Sequence, residues 1–86
     1  MTMVIGYHEI GDSEHWLSSP KREELFGPLG IDVRTFLDPE NPNRAAVLLD
    51  VPDMAAFQSF MQSQQAADAM AHDGVRAETL VVLVEA

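Results

Sequence analysis

The 86-residue chain has no cysteine, which removes disulfide reinforcement, thiolate metal ligation and thiol nucleophiles from consideration. Basic residues are scarce. Five Lys and Arg stand against fourteen Asp and Glu, a formal net charge of −9, the wrong sign for gathering around phosphates, so nucleic acid and anionic membrane are not expected as partners. No apolar run approaches the roughly 20 residues of a bilayer span, and the first residues lack the basic start and apolar stretch of a secretory leader; a cytoplasmic protein is the expectation. There is no Gly-rich phosphate loop, no nucleophile elbow and no His-Glu-x-x-His, motifs that would each have pointed to a reaction class. What is present is 47% hydrophobic and 22% charged residues, the composition of a globular fold rather than a disordered chain. The length implies one domain over residues 1–86, and a domain of this size hides only about 60–65% of the surface of its unfolded chain. Self-association is the natural remaining source of stability.

Residues 3–10 are rich in β-branched and aromatic side chains and stop at Gly11-Asp12, which reads as a first strand. Asp12 or Ser13 caps a helix starting near Ser13, with Glu14 at the positive end of its dipole. Pro20 lacks the N–H that a helix interior requires, so this helix breaks near Ser18–Ser19, and a second piece over residues 20–26 ends at Gly27-Pro28 with glycine in the left-handed stop. Residues 31–37 alternate, with Ile31, Val33, Thr35 and Leu37 on one face and Asp32, Arg34 and Phe36 on the other. The Pro- and Asn-rich stretch 38–43 turns the chain into a third strand over residues 44–51. Asp53 then caps a helix with Met54, Phe57, Phe60 and Met61 on one stripe, Ser63 starts a further helix closed by Gly74, and residues 77–84 form the last strand.

This β-α-β-β-α-β order is the α+β, ferredoxin-like arrangement, a four-stranded antiparallel sheet with its helices on one face. Strands 45–49 and 80–84 are apolar in both parities, although a sheet with one wet face would alternate. A second subunit is expected to cover the side that the helices leave bare, giving a homodimer with sheets face to face.

At this point the chain resembles the dimeric α+β barrel superfamily, which includes antibiotic-biosynthesis monooxygenase-like and stress-responsive barrel proteins and many small uncharacterised domains. The resemblance covers nearly the whole chain. It rests on Tyr7-His8-Glu9-Ile10 leading toward Trp16, on residues 38–44 before an apolar strand, and on Asp50-Val51-Pro52-Asp53 leading through Met54 to Phe57. It implies two ferredoxin-like subunits closing a barrel with the helices outside, often with a small-molecule cavity between sheet and helices. It does not imply a single reaction, since such folds host oxygenases, isomerases, haem-handling proteins and members without known activity.

His8 is the leading candidate for chemistry, because a strand histidine in an apolar cavity exchanges protons near neutral pH; the alternative is a hydrogen-bonded core or interface histidine. Strand alternation puts Tyr7 and His8 on opposite faces, so only one of them meets the helices. Arg34 is the candidate for holding a ligand oxyanion, against a structural reading in which Arg34 with Asp32, and Arg44 with Asp50, pair across strands or subunits. Trp16, Phe26, Phe57, Phe60 and Met61 are core residues in the plain reading and pocket wall, with Tyr7, in the functional one. His15 reads as an exposed helix residue, His72 as a helix-end residue and Lys21-Arg22 as helix surface. His8, Glu9 and His15 could converge as metal ligands, but no metal or other cofactor is expected. The resulting expectation is a small-molecule-binding dimeric barrel, acting as a cofactor-independent oxygenase, isomerase or cyclase on an apolar or aromatic metabolite. The rival is a non-enzymatic dimerisation or ligand-sensing module, and haem or metal handling is a third reading.

Overall fold

The structure is a computed structural model that describes residues 2–86. Strand β1 (Thr2–Ile10) leads into helix α1 (Ser13–Ser18), helix α2 (Lys21–Phe26), strand β2 (Asp32–Leu37), strand β3 (Arg44–Val51), helix α3 (Met54–Met61), helix α4 (Gln64–His72) and strand β4 (Val75–Val84). The fold is ferredoxin-like α+β, as the element order implies: the antiparallel sheet runs β2-β3-β1-β4, and each helical connection spans a strand that lies between the two it joins.

Local chemistry sets the boundaries. Asp12 accepts from the backbone N–H groups of Glu14 and His15, Asp53 from Ala56 and Ser63 from Ala66, so each cap satisfies donors that a helix start leaves free. The interruption at Pro20 separates α1 from α2, with the Ser19 hydroxyl accepting from the Lys21 N–H at 3.2 Å. The left-handed stop after α2 falls at Gly30 (φ 70°) and not at Gly27, whose φ of −53° is helical. Gly27–Leu29 continues as a single 3-10 turn, and the Gly30 N–H returns to the Gly27 carbonyl at 2.9 Å. Proline at the second position of that turn is harmless, because its missing N–H would have had no partner there. The 38–43 turn is closed at both ends, Asp38 N–H donating to the Arg44 carbonyl and Arg44 N–H to that of Asn41.

One face of the sheet packs on the helices. Val4, Leu49 and Val51 join Ile31 and Phe57 in one buried cluster, and Ile10, Ala45 and Trp16 form a second. Among the described residues, no element covers the opposite face, which is formed by the alternate residues. Ile5 (44%), Tyr7 (43%), Phe36 (51%) and Leu83 (52%) all stand largely exposed on it.

Candidate functional site

His8 occupies the helix-facing register of β1 together with Val4, Gly6 and Ile10, and the adjacent Tyr7 faces the bare side. Its position is unusual in the sheet. Between the pairs Tyr7↔Val81 and Glu9↔Arg76, β1 advances two residues while β4 runs back five, so three residues are extra on β4 and His8 has no β4 partner. Thr79 holds this bulge: its hydroxyl accepts from the Glu9 N–H at 2.8 Å and donates to the Arg76 carbonyl at 2.6 Å. A bulge releases one strand from its neighbour and redirects side chains. Leu80, next to Val81 at the edge of the bulge, faces the helices above Gly6 and lines the space beside His8.

His8 is 6% exposed and its Nδ1 is buried with no hydrogen-bond partner among the described residues. It meets the Trp16 indole edge to face, with centroids 5.7 Å apart and planes at 74°. Burial is the main reason the His8 pKa lies below the ordinary 6.5; the Glu9 backbone works against this and the Arg22 charge adds to it. His8 is therefore a neutral imidazole at pH 7, a proton acceptor rather than a donor of charge.

The space beside it is a half-open cavity of about 100 Å³ between sheet and helices, walled chiefly by apolar side chains. Trp16, Phe26, Phe57, Phe60 and Met61 all line it, whereas Tyr7, on the bare side of the sheet, does not. Phe26 anchors the aromatic side, edge-on to Phe60 at 5.5 Å and tilted against Phe57 at 6.3 Å. Gly6 forms part of the floor, and partly exposed Val82 lies at its margin.

Three charged residues that the sequence reading left outside the pocket, Lys21, Arg22 and Asp73, lie on the wall. Arg22, read from sequence as helix surface, turns inward with its side chain 13% exposed, and its carboxylate partner Asp73 is still more buried. Arg22 Nη1 reaches Asp73 Oδ2 at 3.4 Å, Nη2 donates to the Trp16 carbonyl at 2.7 Å, and Cζ lies 4.3 Å from the Trp16 ring centroid. Ser19 and His72 also bond to Asp73. Burial pulls the Arg22 pKa below its ordinary value, opposed by Asp73 and then Glu23, yet a guanidinium paired in this way stays charged. The clue was the helical spacing of Arg22 with Leu25 and Phe26, which places all three on one face.

The structure does not bring His8 and Arg34 together. Arg34 is paired in register with Leu48, and Leu48 with Ile5, which sets Arg34 on the bare face and edge beside Asp32 and Asp50. Arg44 pairs with Asp38 at 3.8 Å rather than with Asp50, and Asp50 Oδ1 is buried without a hydrogen-bond partner. Nor do His8, Glu9 and His15 converge: Glu9 points to the bare side and pairs with Arg76 at 3.3 Å, and His15 meets His72 instead.

No family model and no curated protein matches this chain. Solved structures do match over its whole length. A crystal structure of an antibiotic biosynthesis monooxygenase aligns with a TM-score of 0.66 at 17% identity, covering 100% of this chain and 97% of that one. A Nitrosomonas europaea protein named for the same activity aligns with a TM-score of 0.70 at 12% identity, covering 100% and 97%. One from Bacteroides thetaiotaomicron, similarly named, aligns with a TM-score of 0.64 at 22% identity, covering 99% and 88%. At these identities the likeness establishes a shared ferredoxin-like α+β fold.

Proposed function

We propose that this chain is a homodimeric α+β barrel protein whose cavity binds a small apolar or aromatic metabolite, with His8 accepting a proton from it. The observation that carries this reading is the neutral His8 imidazole, buried on the wall of an apolar cavity with Nδ1 unpartnered. Buried polar atoms normally find a partner, and one left free beside a cavity is a position for a ligand's donor group. Removal of a proton from an acidic C–H or phenol of the metabolite leaves an electron-rich anion. Arg22, on the same wall, supplies a fixed positive charge for that anion, the role assigned to Arg34 from sequence. Such an anion reacts with dioxygen, isomerises or cyclises without a resident cofactor. The names of the structurally similar proteins make oxygenation the first reaction to assay.

In this reading Arg34 belongs to the dimer contact. The bare face is an extended apolar patch of a kind that rarely stays open to water. Arg34 has no ion-pair partner among the described residues and Asp50 Oδ1 no hydrogen-bond partner, and both lie on that side of the sheet. A twofold contact presents every group of one copy to the other, so unpaired cation and unpaired carboxylate make the face self-complementary.

The test combines native mass spectrometry of gently purified protein with oxygen-electrode assays on a panel of small phenols and quinols. A dimer that retains or saturably binds a panel member, with turnover lost and binding kept in His8→Gln, supports the reading. Binding without turnover by the unsubstituted protein returns the ligand-sensing module, and a monomer with no saturable ligand overturns the proposal altogether.

A further inference from the structure

The end of β1 and the start of β4 are register partners, Ile10 opposite Val75. Helix α1 begins three residues after Ile10 and α4 ends three residues before Val75, so the pairing forces the first turn of α1 against the last turn of α4. The Gly11 N–H donates to the Gly74 carbonyl at 3.1 Å, and Gly74 takes φ 74°, a conformation suited to glycine. Two of the chain's three histidines meet at this junction from positions 57 apart in sequence. The His15 and His72 ring centroids are 5.3 Å apart, both residues are exposed, and His72 Nδ1 lies 3.0 Å from the buried Asp73 Oδ1. One ring nitrogen of each histidine and one Asp73 oxygen lie within 4.8 Å of one another. His15 Nε2 is also 2.7 Å from the His72 carbonyl.

We propose that His15, His72 and Asp73 form a binding site for a divalent transition metal of the zinc class at the α1–α4 junction, its two histidines outside the cavity and Asp73 shared with the cavity wall. The donor set is two imidazoles and one carboxylate, which suits zinc, nickel, copper or ferrous iron rather than calcium or magnesium. Ligands on bonds of about 2.1 Å stand roughly 3.0–3.6 Å apart at angles of about 90–120°. The His72–Asp73 separation already fits, and the exposed His15 ring closes the remainder by rotation. Arg22 engages Asp73 Oδ2, while Oδ1 accepts from the Ser19 hydroxyl and faces His72 Nδ1. That carboxylate is in turn oriented by Ser19 and Arg22, the kind of support that holds a metal ligand in place. Three protein ligands leave positions for water or another small ligand.

Trp16, the chain's one tryptophan, reports on the site because Arg22 links it to Asp73. Tag-free protein stripped with chelator is titrated with zinc chloride and followed by calorimetry and Trp16 fluorescence. The expected result is saturation at one zinc per chain, weakened by about tenfold or more in His15→Ala and in His72→Ala. Histidine ring NMR signals of those two residues should shift on adding zinc while that of His8 stays in place. Absence of saturable binding up to millimolar zinc overturns the site, as does unchanged binding in both variants or a shift confined to His8. Both substitutions are at exposed positions, so circular dichroism should show an intact fold and the comparison is not confounded by unfolding.

Discussion

The Arg22 guanidinium lies over the Trp16 indole at 4.3 Å and, on the same side chain, donates to the Trp16 carbonyl and to Asp73. A single residue of α2 thereby caps the C-terminal part of α1, ties it to the end of α4 and forms part of the cavity wall. Stacking, ion pairing and the covering of an apolar ring act together in it.

Breaking this arrangement should be costly and non-additive. Arg22→Met keeps an apolar stem over Trp16 but leaves Asp73 buried without its cation; the expected loss is about 2–3 kcal/mol, given partial compensation from Ser19 and His72. Asp73→Asn should cost a similar amount, and the double variant less than the sum of the two. Urea denaturation of the four proteins closes the cycle, and strict additivity would mean that the pair is not coupled.

Stability should depend on His8 in a definite direction. The folded protein holds this pKa below 6.5, chiefly through burial, so the unfolded state binds the proton more readily. The contribution is complete above the unfolded value and is lost as pH falls through 6.5 toward the lower folded value. Urea midpoints measured between pH 8 and pH 5 should fall for the unsubstituted protein, and His8→Phe should flatten the part of that fall nearest pH 6.

Gly6→Ala should separate stability from binding. A Cβ there would sit 3.4 Å from Val47 Cγ2 and 3.7 Å from Leu80 Cδ1, contacts that the two flexible side chains accommodate. Replacing a strand glycine gains about 0.5 kcal/mol through the unfolded state. The same methyl intrudes on the cavity floor, so thermal stability should hold or rise while affinity for any cavity ligand falls. Equal affinity in the variant would place the ligand elsewhere.

Ile5 and Leu83 are register partners on the bare face, 44% and 52% exposed. Leu83→Lys puts a charge at the middle of the proposed dimer contact, where it would be desolvated and unpaired. Sedimentation velocity should show the unsubstituted chain as a dimer and Leu83→Lys as a folded monomer. An unchanged sedimentation coefficient in the variant would move the contact to another surface.

Much of this architecture was readable in the residues, because it depends on local chemistry. Asp12, Asp53 and Ser63 cap the helices where their side chains can reach free N–H groups, Pro20 interrupts where its missing N–H demands it, and alternation separated Tyr7 from His8 before any fold was known. The β-α-β-β-α-β order follows from those signals alone. A glycine before proline resembles a helix terminus, so Gly27 reads as the left-handed stop, whereas the turn runs on to Gly30. The last strand begins at Val75, two residues earlier than expected, since pairing with Ile10 extends it through polar Arg76.

Tertiary structure decided the rest. Which parity of β1 meets the helices depends on the hand of the crossover and not on the alternation itself. The three extra residues of β4 opposite His8 exist only relative to β1, and a strand read alone cannot reveal a bulge. Arg22 turns inward because Asp73, 51 residues away, and the Trp16 carbonyl offer it partners; His15 meets His72 because Ile10 pairs with Val75. Local preferences act over a few residues through dihedral angles and hydrogen bonds, so composition and spacing determined the elements, while contacts across the chain arise only when the sheet's register brings distant residues together.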